Sequence, residues 1–181
     1  MKVVILDGME KENPVENILK ELIKDGIEAS YFKLKDMNIL PCKSCGACGY
    51  KNVGKCIFHD DSHEILKALA PCDMMVMVTP IRFGGYGSQL KKALDKLPLL
   101  AIPTFMVKRG HLIHPPRYGT KSLLVIGLMK GNSQDQEESF RTLAAYNGLN
   151  FQYKHKTLIF KASEDCTNIK SEIENSIKGG V

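Results

Sequence analysis

The run Met74-Met-Val-Met-Val-Thr79 is apolar at nearly every position and ends at Pro80. A strand with one face in water alternates apolar and polar residues. A continuous run marks a strand buried on both faces, which is the environment of a parallel sheet. Parallel neighbours cannot be joined by tight turns, so the chain needs crossover segments long enough to cover the sheet. The rest of the sequence supplies them.

Lys2–Leu6 reads as a first strand ending at Asp7-Gly8. Pro14 stands where a first helical turn starts, and Ile18, Leu19, Leu22 and Ile23 recur at helical spacing up to Asp25-Gly26. Ile27–Leu34 alternates like a second strand. Asp60-Asp61-Ser62 caps a helix carrying Ile65, Leu66 and Leu69 on one face. After the central strand come a helix over Ser88–Leu97, a strand over Lys121–Gly127, a helix over Gln134–Asn147, an extended segment over Asn150–Phe160 and a closing helix over Ser163–Lys178. Strand and helix alternate throughout, so the fold class is α/β, a doubly wound parallel sheet with helices on both faces. Five strands in 181 residues suit a single flavodoxin-like domain over 1–181 with strand order 2-1-3-4-5. Such sheets bind ligands at the carboxyl ends of their strands, which directs attention to the loops after Leu6, Thr79 and Gly127.

One stretch answers to chemistry and not to packing. Cys42, Cys45, Cys48 and Cys56 fall within fifteen residues, spaced C-x2-C-x2-C-x7-C in a loop over 41–58. A 4Fe–4S cluster calls for four thiolates converging from one short loop, and glycines at 46, 49 and 54 let the backbone wrap closely. Structural zinc favours two separated pairs, and a disulfide or free thiols complete the alternatives. Cys72, just before the central strand, reads as a small buried hydrophobe. Cys166 stands near the start of the last helix.

The N-terminus shows no export signal and no apolar stretch approaches a membrane span, so the expectation is a cytoplasmic protein that keeps its thiols reduced. The net charge of +5 is spread over lysines on helix faces and gives no nucleic-acid footprint. An inserted connection over 98–118 breaks the alternation. It holds four prolines, an apolar group from Leu99 to Val107, and then Lys108, Arg109, His111, His114 and Arg117. Long connections inside compact domains are often functional, and the apolar part reads as a contact within a homodimer or homotetramer.

Two motifs together carry a resemblance. The first is Pro41-Cys-x2-Cys-x2-Cys-x7-Cys56 followed by Asp60-Asp61. The second is Thr79-Pro80-Ile81-Arg82-Phe83-Gly84-Gly85-Tyr86-Gly87-Ser88-Gln89-Leu90-Lys91, with Asp95 a turn later. The pairing resembles the iron–sulfur flavoproteins, a branch of the flavodoxin-like, NADPH-dependent FMN reductase family. It extends over roughly residues 1–150 in element order, with its specific residues in 41–61 and 79–95. The resemblance implies FMN at the sheet's carboxyl edge, with Pro80, Ile81, Arg82, Phe83 and Gly84 lining the flavin ring. It also implies a 4Fe–4S cluster on Cys42, Cys45, Cys48 and Cys56. Arg82 stands where the family commonly has tyrosine, and the chain has glycine and Tyr50 where relatives often carry tryptophan. The turn Gly8-Met-Glu-Lys-Glu-Asn-Pro-Val-Glu16 lacks the hydroxyl-rich phosphate turn usual in the family. Its carboxylates oppose a phosphate, which leaves three outcomes open: FMN binds weakly, binds with its phosphate held from elsewhere by Lys108 or Arg109, as from a second subunit, or does not bind.

The function expected is FMN-dependent oxidation–reduction coupled to the cluster. The donor is a ferredoxin-like protein or NAD(P)H, and the acceptor is small, such as a quinone or an oxygen species. No side chain is required as acid or base, because the cofactors carry the chemistry. Two other readings stay open: an NAD(P)H-dependent FMN or quinone reductase without a cluster, and a flavin-less metal-binding scaffold.

Overall fold

The computed structural model describes residues 1–24, 27–108, 110–161 and 166–179. Asp25-Gly26, expected to close the first helix, Arg109, and the expected helix start at Ser163 lie outside the described residues, as does the side chain of Cys166.

The parallel sheet contains β1 (Lys2–Asp7), β2 (Glu28–Lys33), β3 (Met74–Arg82), β7 (Ser122–Met129) and β8 (Lys154–Lys161), in the order β2-β1-β3-β7-β8. This is the 2-1-3-4-5 order expected for five strands. Every pairing along it is parallel, with β3 central: Val3 stands opposite Met74 on one side and Met75 opposite Leu123 on the other. The period of two along β3 sends Met75 and Met77 to one core, with Leu69, Leu90, Val125 and Phe140. Met74, Val76 and Val78 go to a second core with Leu19, Leu22, Ile126, Ile169 and Ile173. The first core lies under α3 (Ser62–Leu69), α4 (Ser88–Leu94) and α5 (Gln134–Phe151), the second under α1 (Glu16–Lys24) and α6 (Cys166–Lys178). Both faces are covered, as the unbroken apolar run requires.

Several boundaries differ from the sequence reading, and helix α4 is one of them: it stops at Leu94, three residues short of the expected Leu97, where a 3-10 turn begins. Strand β3 runs on through Pro80 to Arg82, because Ile81 and Arg82 pair antiparallel with the short strand β4 (Gly85–Tyr86) and form a hairpin. A proline at position 80 is tolerated there because it lies where the ladder is ending. Helix α5 continues to Phe151 and closes on Gln152, whose φ of 55° lets Tyr153 N–H reach Gly148 O and Gln152 N–H reach Leu149 O. This displaces the start of β8 to Lys154. The connection over 98–118 is not a bare loop: a 3-10 turn over Leu97–Leu100 leads to a hairpin of β5 (Met106–Lys108) and β6 (His111–Ile113). Among the described residues no helix is long and apolar enough to cross a membrane.

Candidate functional site

Three segments meet the criteria for a site: the turn after β1, the hairpin after β3 and the cysteine loop. The first two adjoin at the carboxyl edge of the sheet, where Gly8 N–H donates to Val78 O at 2.8 Å.

The hairpin is built from Thr79 outward. Its fully buried hydroxyl donates to Pro80 O at 3.1 Å and accepts Gly87 N–H at 2.9 Å, which ties the two limbs together. Pro80 and Ile81 are buried, whereas Arg82 and Phe83 project. Phe83 is 97% exposed and has a φ of 51°. A non-glycine residue in this left-handed region is uncommon, and it lifts an aromatic ring into solvent without a protein partner. Gly84 follows at a φ of 75°, so close to α5 that a Cβ would stand 2.7 Å from that of Ser139. Any side chain at 84 would push the hairpin away from the helix. The arrangement therefore presents an exposed aromatic ring at the sheet edge on a hairpin anchored to α5 through Gly84, which fits a flat aromatic ligand.

The turn after β1 is organised by carboxylates. Asp7 is buried and accepts Met9 N–H at 3.0 Å, Asn13 Nδ2 at 3.0 Å and the Tyr31 hydroxyl at 2.7 Å. Asn13 Oδ1 in turn accepts Val15 N–H at 3.0 Å. Burial and the neighbouring Asp7 push the Tyr31 hydroxyl far above its ordinary value. Glu10 reaches across to the hairpin, accepting the Ser88 hydroxyl at 3.0 Å and lying 3.6 Å from the Arg82 guanidinium. Glu16 pairs with Lys20 and Lys33, both at 2.6 Å, which lower its carboxyl below the ordinary range. An anion at this turn faces the exposed carboxylates of Glu10 and Glu12. The ring end of a flavin site fits the residues present, and the phosphate end is acidic.

Lys108 does not reach this turn within its own chain. Its ammonium donates to Gln152 Oε1 at 2.8 Å, at the end of α5 remote from the carboxyl edge. That helix has eighteen residues, a length of about 27 Å.

The cysteine loop is less regular. Cys42 and Cys45 are exposed, and Cys48 and Cys56 half-buried. Ser44 has a φ of 51°, and its N–H donates to Cys42 Sγ at 3.4 Å. A four-residue helix α2 (Ala47–Tyr50) carries Cys48, and Gly54 N–H returns to Cys48 O at 2.9 Å. Burial above all raises the Cys48 thiol from its ordinary value. Among the described residues, no three His, Cys, Asp or Glu side chains stand close enough to surround an ion.

Cations face this loop. Lys96 donates to Cys56 Sγ at 3.6 Å and pairs with Asp60 at 3.2 Å. From the inserted connection, Pro103 packs against Gly49, and the Arg117 guanidinium lies about 3.2 Å from where a Cβ of Gly54 would be. Arg117 Nε is buried without a hydrogen-bond partner among the described residues. Four cysteines on one short loop, with Lys96 at Cys56 and the Arg117 guanidinium at Gly54, suit the donor chemistry of a thiolate-bound group of negative charge, which would draw together sulfurs that stand apart here. The sequence showed the cysteines and the motif opening at Thr79 but gave no signal for Lys96, which belongs to no local pattern.

A largely apolar cavity of about 640 Å³ adjoins the hairpin through Gly85 and Tyr86, with Leu97, Phe105, Ile113 and Phe151 among its walls. The Tyr86 hydroxyl accepts Asn147 Nδ2 at 2.8 Å on its rim.

The family described as NADPH-dependent FMN reductase matches residues 1–158. An iron-sulfur flavoprotein of Methanocaldococcus jannaschii is 34% identical over 101 residues, covering 53% of this chain and 51% of that protein. An iron-sulfur flavoprotein of Methanosarcina thermophila is 29% identical over 101 residues, covering 56% and 52%. The chain thus spans about half the length of the curated relatives it matches. Among solved structures, an FMN-dependent NADH-azoreductase from Bacillus anthracis in complex with FMN superposes with a TM-score of 0.69 over 98% of both chains, at 16% identity. That similarity extends to the fold alone.

Proposed function

The chain belongs to the NADPH-dependent FMN reductase family, and on that premise we propose that it is an FMN-dependent oxidoreductase that couples its flavin to a 4Fe–4S cluster. The observation that carries the flavin part is the hairpin at 80–84. Its Phe83 ring, 97% exposed, has no partner among the described residues, and buried Gly84 anchors the hairpin against α5 so that the ring stands at this edge. Pro80 and Ile81 would form the rigid floor, Phe83 would cover one side of the ring, and Arg82 would hold a cation at its margin. Flavin chemistry supplies one- or two-electron exchange and a cluster supplies single-electron exchange, so together they would convert hydride transfer into single-electron steps.

For the cluster, the support is the four cysteines, the cations beside them and the printed names of the relatives. Cys42, Cys45, Cys48 and Cys56 would be the ligands. The Arg82–Glu10 pair would have to open or rotate for an anionic phosphate to approach, because Glu10 lies between the two loops. The donor would be NAD(P)H or a ferredoxin-like protein steered by surface lysines, and the acceptor a small molecule such as a quinone or oxygen species. The β5–β6 hairpin, with Phe105, Val107 and Leu112 exposed, would pair subunits of a homodimer or homotetramer in the cytoplasm.

The test separates the two cofactors. Cys45→Ser should abolish bound iron while flavin content stays near that of the parent. Gly84→Val should abolish flavin and leave iron unchanged. Loss of both cofactors in either variant, with the fold intact by circular dichroism, would contradict the assignment.

A further inference from the structure

We propose that Lys96 is a positioning residue of the cysteine loop, which raises the reduction potential of the centre held there by presenting its buried ammonium to Cys56. The inference rests on the cluster reading above. Its basis is geometric. The Lys96 and Asp60 side chains are 2% and 0% exposed, and the ammonium bridges Asp60 Oδ2 at 3.2 Å and Cys56 Sγ at 3.6 Å. Asp60 is itself fixed: Oδ2 accepts Leu40 N–H at 2.9 Å, and Oδ1 accepts Ser62 N–H at 3.0 Å together with the Ser62 hydroxyl. The carboxylate therefore joins the approach to Cys42, the start of α3 and Lys96 in one buried unit. A buried ion pair seldom adds net stability over a well-packed apolar pair, because desolvation opposes the attraction. What this pair does provide is direction, with its positive end at the sulfur and its negative end held away by three other donors.

A positive charge and an N–H donor at a ligand sulfur both favour the state carrying the extra electron. Removing them makes that electron harder to place. Arg117 flanks the same loop but donates to Ala101 O at 3.2 Å, so among the described residues Lys96 is the cation in contact with a cysteine sulfur.

The experiment is a dithionite titration of the anaerobically purified, iron-containing full chain, followed by electron paramagnetic resonance, on the parent, K96M and K96R. In K96M the midpoint is expected to fall by at least the equivalent of a tenfold change in the reduction equilibrium, about 59 mV for one electron. K96R, which keeps the charge, is expected to stay closer to the parent. K96M leaves Asp60 buried without its cation, so if it loses iron the double variant K96M/D60N, which removes both charges, is read in its place. A midpoint equal to the parent's in whichever neutral variant holds iron overturns the inference. So does K96R behaving as K96M, because that would assign Lys96 a packing role. If both neutral variants lose iron, Lys96 is needed to retain the centre rather than to set its potential, and the inference is overturned. A parent protein that takes up no iron overturns the cluster reading itself, and this inference with it.

Discussion

Single side chains decide whether this sheet edge accepts an anion. Glu10 is held by Ser88 and Arg82 at the mouth of the β1 turn, where the flavin phosphate would lie. A like charge at close range costs on the order of 1 kcal/mol at a solvated surface. E10Q should therefore tighten FMN binding about fivefold and leave riboflavin, which has no phosphate, unchanged; fluorescence quenching on both flavins reads the difference. Equal gains for the two would remove Glu10 from the phosphate's surroundings. Beneath it, Tyr31 keeps its proton in the folded state because burial and Asp7 disfavour the phenolate. A folded value raised above the unfolded one gives stability that is complete below about pH 10 and is lost as pH rises, since the unfolded chain ionises first. Denaturant midpoints should thus decline above about pH 10 in the parent and more shallowly in Y31F, with Y31F costing about 1 kcal/mol at neutral pH.

At the scale of elements, the close packing of β7 on α5 fixes the hairpin's position. Gly127 lies opposite Thr79 in the sheet, and a Cβ there would stand 2.6 Å from Phe140 and 2.9 Å from Ile81. G127A should cost about 1–3 kcal/mol by overpacking and weaken flavin binding through displaced Ile81, measurable by urea unfolding and flavin titration. Unaltered stability would mean that Phe140 can turn aside. The inner strands β1, β3 and β7 were legible in the sequence because each is buried on both faces and so reads as an apolar block, Met74–Val78 most clearly, and the edge strand β2 was legible by its alternation. The ends were less so. Pro80 suggested a stop, yet β3 continues because a two-residue partner strand takes up its last pairings. Asn150 suggested an extended segment, but tertiary packing of Phe151 and a left-handed Gln152 extend the helix. The four cysteines were legible from spacing alone. The Asp60–Lys96 unit was not, since residues 36 positions apart meet only once α4 has docked on the sheet.

The whole molecule combines a doubly wound sheet with two attachments, the cysteine loop and the inserted connection, which approaches that loop through Pro103 and Arg117 and carries the β5–β6 hairpin. The hairpin exposes Phe105 by 63%, Val107 by 72% and Leu112 by 65%, on a face that a second subunit would cover. Placing lysine at Val107 and Leu112 together should shift sedimentation toward the monomer without changing helical content; an unchanged oligomer would move the subunit contact to another face. The central claim, that flavin and cluster occupy one chain, is tested most directly by an absorption spectrum of protein purified without oxygen, with iron, sulfide and flavin assayed on the same sample. The account predicts flavin bands over broad absorbance near about 400 nm, with about four irons and one FMN per chain. Flavin without iron would contradict the cluster, and a sample with neither would contradict the account as a whole.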